Sequence, residues 1–210
     1  MTPHHHVSDE LLTAYAAGAA PEAIALFVAS HASLCAACRA RLAAEEAVGG
    51  ALLGAIAPAS LDDLLARTLA RLDEPVAPAP APPPRHAVLP PPVMRLLGGE
   101  PTWRRVVPNL EIAELPVRLN GNPAVLTRLA AGSVVPPHTH AGWELQLVLS
   151  GGYQADDGRF DRGDAHCADP SVSHGFRVDA DAPCVSLLVR EARIIPKTLR
   201  GRVFCWFTGA

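Results

Sequence analysis

The chain has 210 residues, with 18 basic against 21 acidic side chains and a formal net charge of −3. Apolar residues make up 49%, enough for a packed core, which excludes wholesale disorder, and the length fits one large domain or two small ones. The weakly acidic balance lacks the basic stripe of a direct nucleic-acid binder, and no apolar run reaches the roughly 18 residues of a transmembrane helix.

Residues 1–72 are rich in Ala and Leu and read as a small helical bundle of about four helices. The opening MTPHHHVSDELL lacks the basic-then-apolar layout of a signal peptide, which predicts a cytoplasmic protein with no membrane partner. Ser8 is the expected N-cap of the first helix, with Asp9 and Glu10 in its first turn, where negative charge suits the helix dipole. Gly18 ends it and Pro21 suits the start of a second. Ser33 is a candidate cap for a third helix running to Gly49-Gly50, unless the second and third are continuous. Ser60 with Asp63 resembles a capping signal for a fourth. There Leu61, Leu64, Leu65, Leu69 and Leu72 share one face, as core packing for any single leucine or as a docking stripe for a partner helix.

Residues 73–93 hold nine prolines and no helical or alternating period, so residues 73–99 are expected to be a Pro-rich, semi-rigid linker. Residues 100–210 switch to short β-branched runs punctuated by Gly, Pro, Asn and Asp. Strands are predicted at Trp103 to Val107, Val125 to Leu129, Trp143 to Leu149, Phe176 to Val178, Cys184 to Val189 and Arg202 to Phe207, forming a sandwich or barrel. The predicted fold class is multidomain, α followed by all-β.

Two constellations carry chemistry. The segment HASLCAAC spaces His31, Cys35 and Cys38 at i, i+4 and i+7, one face of a helix. Thiolates with imidazole suit structural Zn²⁺, which takes four ligands in a tetrahedron. The fourth comes from His4, His5 or His6, with His6 favoured as nearest the first helix. Two thiolates neutralise the metal's charge, so the site tolerates burial. Five cysteines, an odd number, fit metal or redox chemistry in a reducing compartment better than a disulfide framework. A redox switch forming a Cys35–Cys38 disulfide is a weaker alternative.

The pattern His-x3-Cys-x2-Cys with an upstream His resembles the zinc-binding anti-sigma domain. Together with HHVSDELLTAYAAGAAPEA it is similar to the ChrR-type anti-sigma factors over roughly residues 4–72. The resemblance implies that His6, His31, Cys35 and Cys38 hold zinc and that the domain sequesters an extracytoplasmic-function (ECF) sigma factor.

The second constellation is AGSVVPPHTHAGWELQLVLSGG. His138 and His140 alternate onto one face of a strand, Glu144 begins the next, and His174 follows Gly163 and Pro170 on another. Three imidazoles and a carboxylate suit Zn²⁺, Fe²⁺, Mn²⁺ or Ni²⁺ with coordination left open. This resembles the two motifs of the cupin β-barrel. The first matches at every signature position; the second lacks the usual Gly between Pro170 and His174 and the Asn after it. His86 and His166 read as surface or loop histidines, Glu191 and Asp179 as solvated turn residues, and Cys167, Cys184 and Cys205 as packing thiols. ChrR-type proteins carry a C-terminal cupin-like domain. The resemblance therefore implies a regulator without catalytic residues, whose cupin senses singlet oxygen or organic hydroperoxide and releases sigma. The rival expectation is a cupin metalloenzyme, a dioxygenase or isomerase, with a helical regulatory domain.

Overall fold

The computed structural model describes residues 2–59, 63–76, 78, 82 and 85–197. Five helices come first: α1 (Asp9–Ala16), α2 (Glu22–Leu34), α3 (Ala36–Gly54), α4 (Leu64–Ala70) and α5 (Pro91–Leu97). Eleven strands follow: β1 (Arg104–Val107), β2 (Leu110–Leu119), β3 (Asn122–Leu129), β4 (Val134–His140), β5 (Glu144–Ser150), β6 (Gly152–Ala155), β7 (Gly158–Asp161), β8 (Ala165–Ala168), β9 (His174–Val178), β10 (Cys184–Arg190) and β11 (Ile194–Pro196).

The first helix begins after Ser8, as expected, although the Ser8 hydroxyl makes no capping bond. Ser33 does not cap the third helix. It lies inside α2 and its hydroxyl donates to the Ser30 carbonyl at 2.7 Å. The break falls instead at Cys35, whose extended backbone (φ −112°, ψ 109°) makes an elbow and whose Sγ accepts from the Cys38 N–H at 3.5 Å. Nor does Gly49-Gly50 end α3, which runs on to Gly54. Each glycine costs about 1 kcal/mol of helix propensity, and the Ala, Leu and Glu around them outweigh it.

Ser60 and Leu61 lie outside the described residues, and Asp63 directly precedes α4 rather than sitting in its first turn. No residue of α4 is buried, so its leucines do not join a core. The fifth helix was not expected in the Pro-rich stretch. Pro90, Pro91 and Pro92 occupy its N-cap and first positions, where a missing N–H costs nothing, Val93 and Met94 are buried, and Gly98 closes it at φ +67°.

The strands pair antiparallel in two sheets, one ordered β1-β2-β3-β10-β5-β8 and the other β11-β4-β9-β6-β7. Every predicted strand from Trp103 to Val189 has a counterpart; the one at Arg202 to Phe207 lies outside the described residues. The sheets enclose one core, which includes Leu129, Val148, Tyr153, Phe160, Phe176 and Val178. The outer face of the six-stranded sheet is covered as well. Leu126, Leu145, Leu147, Leu149 and Leu187 join Val7, Leu12, Phe27, Val28 and Met94 of the helical region in a second core. Strand β5 therefore has two buried faces. Glu144, Gln146 and Val148 alternate with leucines that meet the helices, and six of its seven residues are buried.

Candidate metal centres

The elbow between α2 and α3 builds the first cluster. His31 lies in the last turn of α2, Cys35 is the break, and Cys38 lies in the first turn of α3. His6 approaches from the segment before α1. Its Nδ1 is 3.3 Å from Cys35 Sγ and 3.5 Å from Cys38 Sγ, while His31 Nε2 is 3.2 Å from Cys38 Sγ. Metal–sulfur and metal–nitrogen bonds of about 2.3 and 2.0 Å at the tetrahedral angle put N and S about 3.5 Å apart, so the donor set fits a zinc-sized ion. The four residues lie within 4.8 Å of one another by their ligand atoms, and all but His6 are buried. The His5 side chain is directed elsewhere: its ring stacks on Phe160 at 4.2 Å and its Nε2 donates to the Arg159 carbonyl at 3.0 Å.

Burial pushes His31 down to about 4, against a hydrogen bond to the Gly163 carbonyl that raises it, so the imidazole is neutral at pH 7. Burial and the neighbouring Cys35 push the Cys38 thiol up to about 11. A divalent ion among these atoms reverses that preference, because it stabilises thiolate.

The second cluster stands at one end of the inter-sheet space. Alternation along β4 puts His138 and His140 on one face, Glu144 opens β5, and His174 opens β9 opposite His138. The three Nε2 atoms converge on Glu144 Oε1 at 3.7, 3.6 and 3.4 Å, and His140 Nε2 lies 3.0 Å from His174 Nε2. His138 Nδ1 donates to the Pro136 carbonyl, which leaves its Nε2 lone pair facing the cluster. All four residues are buried, and converging lone pairs of this kind fit a cation at their centre. Burial opposes charge on Glu144, but the neighbouring imidazoles of His138, His174 and His140 overcome it and hold the carboxyl well below its usual range. A largely apolar cavity of about 120 Å³ opens beside His138 and Glu144, lined by Leu110, Val125, Phe176 and Leu188 among others.

The structure differs from expectation around this site. His166 is not a surface or loop residue. It is buried on β8, shares a 3.0 Å hydrogen bond with Tyr153 Oη, stacks on Phe160 and meets the His174 ring edge-on at 4.8 Å. The signal was present in its neighbours: Ala165, Cys167 and Ala168 after a Gly-Asp turn read as a strand. Glu191 and Asp179 are not merely solvated. Glu191 accepts from the Trp143 N–H, and Asp179 pairs with Arg159. His86 does lie in a loop, accepting from the N–H groups of Val88 and Leu89. Burial pushes the thiols of Cys167 and Cys184 up to about 12 and about 11; Cys205 lies outside the described residues.

Residues 99–190 match the family model of the ChrR cupin-like domain. Over 201 residues the chain is 40% identical to the anti-sigma-E factor ChrR of Cereibacter sphaeroides, covering 91% of this chain and 92% of that protein. Among solved structures it is similar to a chain in the crystal structure of Rhodobacter sphaeroides SigE in complex with the anti-sigma ChrR. The TM-score is 0.74 at 39% identity, covering 90% of this chain and 99% of the other. That likeness runs through the helices and both sheets, so the expected order of a helical region followed by a cupin-like β fold holds.

Proposed function

The chain belongs to the ChrR family of anti-sigma factors, and from that premise we propose that its helical region binds an ECF-type sigma factor and withholds it from RNA polymerase. The observation that carries this reading is an unclaimed apolar helix face. Leu65, Leu69 and Leu72 recur along α4 and the turn after it, with Leu65 73% and Leu69 53% exposed, and Leu52, Leu53 and Ile56 add to the exposed apolar surface at the end of α3. Helical spacing of large aliphatic side chains in water is the form a partner helix recognises.

In this reading His6, His31, Cys35 and Cys38 hold Zn²⁺, which when bound supplies a redox-inert cross-link. The chain's own part is to bring the segment before α1 onto the α2–α3 elbow, which fixes the direction of α3 towards its exposed end. His138, His140, Glu144 and His174 hold Zn²⁺ or another divalent metal, with the adjoining cavity as the entry for a small oxidant. An oxidative signal there, singlet oxygen or an organic hydroperoxide, weakens the hold on sigma. Such a coupling requires the two states of the protein to bind sigma differently. The protein then acts as a cytoplasmic regulator, with no catalytic residue and no direct contact with nucleic acid. The longest helix, α3, has 19 residues, and among the described residues no helix is long and apolar enough to cross a membrane.

An affinity pull-down from the native host, comparing wild type with Cys38→Ala, tests the proposal. A sigma factor recovered in near-equal amount with wild type and lost with the variant is the expected result; none with either defeats the reading. The cavity beside Glu144 favours a second reading, a cupin metalloenzyme, which turnover of small oxygenase or isomerase substrates by the purified protein would support.

A further inference from the structure

The turn between β7 and β8 reaches into the first cluster. Gly163, at φ +96°, packs so closely on Pro3 that a Cβ there would meet Pro3 Cγ at 2.8 Å. Its carbonyl accepts the Nδ1–H of His31 at 2.9 Å, which turns His31 Nε2 towards Cys38. The next residue, Asp164, is buried and fully engaged. Its Oδ1 accepts the backbone N–H groups of His4 and His5 at 2.6 and 2.9 Å, and its Oδ2 accepts that of Asp161 at 2.8 Å. The Ala165 N–H donates back to the His5 carbonyl at 3.1 Å, so the backbone leading into His6 is held on both sides.

The same few residues reach the second cluster. His166, two positions after Asp164, touches His174 edge-on at 4.8 Å and stacks on Phe160 at 4.2 Å, and the opposite side of the column is the His5 ring at 4.2 Å. Strand β8 is also hydrogen-bonded along β5, where Ala168 lies opposite Glu144. One short edge strand and its turn thus contact a residue of each cluster or the segment that carries it.

We propose that Gly163–His166 is the outer ligand shell of the N-terminal His/Cys cluster and couples it energetically to the His138/His140/Glu144/His174 cluster. The inference rests on the reading that both clusters hold metal. Outer-shell partners of metal-bound imidazole set metal affinity by about 10–100-fold, because they fix ring orientation and basicity. Coupling between two binding sites is reciprocal, so ligation of His174 changes the affinity at Cys35 and Cys38 by the same factor that the reverse step shows.

Co²⁺ binding to the metal-stripped full-length protein tests this. Thiolate-to-cobalt charge-transfer absorption reports the N-terminal cluster alone, since the other contains no sulfur. Asp164→Asn preserves shape, but its amide NH₂ must face one of the backbone N–H groups that the carboxylate now accepts. It is expected to weaken cobalt binding at the thiolate centre at least tenfold, while Asp181→Asn, on an exposed turn, leaves it unchanged. His174→Ala is expected to shift that affinity about fivefold or more, and the shift is expected to vanish when Phe160→Leu is already present. Affinity within twofold of wild type in either Asp164→Asn or His174→Ala overturns the proposal. If Asp164→Asn fails to fold by circular dichroism, His174→Ala and its cycle with Phe160→Leu decide alone. No thiolate band in the wild type overturns the metal reading itself, and the coupling with it.

Discussion

His166 is buried between Phe160 and Tyr153, with its Nε2 3.1 Å from Asp157 but not aligned for a hydrogen bond. Burial pushes its pKa down to about 4 from an ordinary 6.5, so the folded protein keeps it neutral at a pH where an unfolded chain would protonate it. Proton uptake by the unfolded state therefore begins near pH 6.5, and the folded state takes up its proton only near pH 4. The stability this residue leaves intact above pH 6.5 is lost as the pH falls between those values. The full loss is on the order of 3 kcal/mol for a shift of this size. In thermal melts of the metal-stripped protein, His166→Gln is expected to flatten this acid limb relative to wild type, whatever its stability at pH 7. An unchanged slope would show that His166 titrates normally in the folded state.

At the scale of elements, both His-rich clusters were legible because their ligands recur at spacings that local structure enforces. His138 and His140 share a face because strand side chains alternate, and Cys35 and Cys38 meet because three residues span the start of a helix. Less legible were features set by distant partners. The contacts of Gly163 and Asp164 with His31 and His4 join residues more than 130 positions apart and leave no local period. Nor does proline content reveal α5, whose Val93 and Met94 are buried in the core shared by the helices and the outer sheet face. Helix α4 shows the reverse case, where a leucine period identifies a face but not what covers it. Because no residue of α4 is buried, Leu65→Asp with Leu69→Asp should change the melting free energy by no more than about 0.5 kcal/mol. Each leucine buried against a partner contributes about 1.5–3 kcal/mol, so the pair should weaken sigma binding by about 100-fold or more in calorimetry. Equal affinity in wild type and variant would place the partner on another surface.

For the molecule as a whole, the core beneath the helices fixes how a signal can travel. Leu126, Leu145, Leu147 and Leu187 on the outer face of the six-stranded sheet are at most 1% exposed, and the helical region is what covers them. Lifting the helices away would return these side chains to water at about 1.5–3 kcal/mol each, before counting Phe27 and Val28 on the other side of the contact. Wholesale separation is therefore a costly way to release a partner. A shift confined to the β7–β8 turn and the elbow at Cys35 moves only the edge of that core, at Cys35, Cys38 and Leu42, leaves the sheet leucines covered and still redirects α3. The same shared core predicts that the helical and β regions unfold together. Scanning calorimetry of the metal-stripped protein should give one transition whose calorimetric and van't Hoff enthalpies agree. Leu147→Ala should lower the stability of that single transition by about 2–5 kcal/mol without splitting it. Two resolved transitions, with only the earlier one moved by Leu147→Ala, would mean that the helices dissociate first and that separation is within reach of a signal after all.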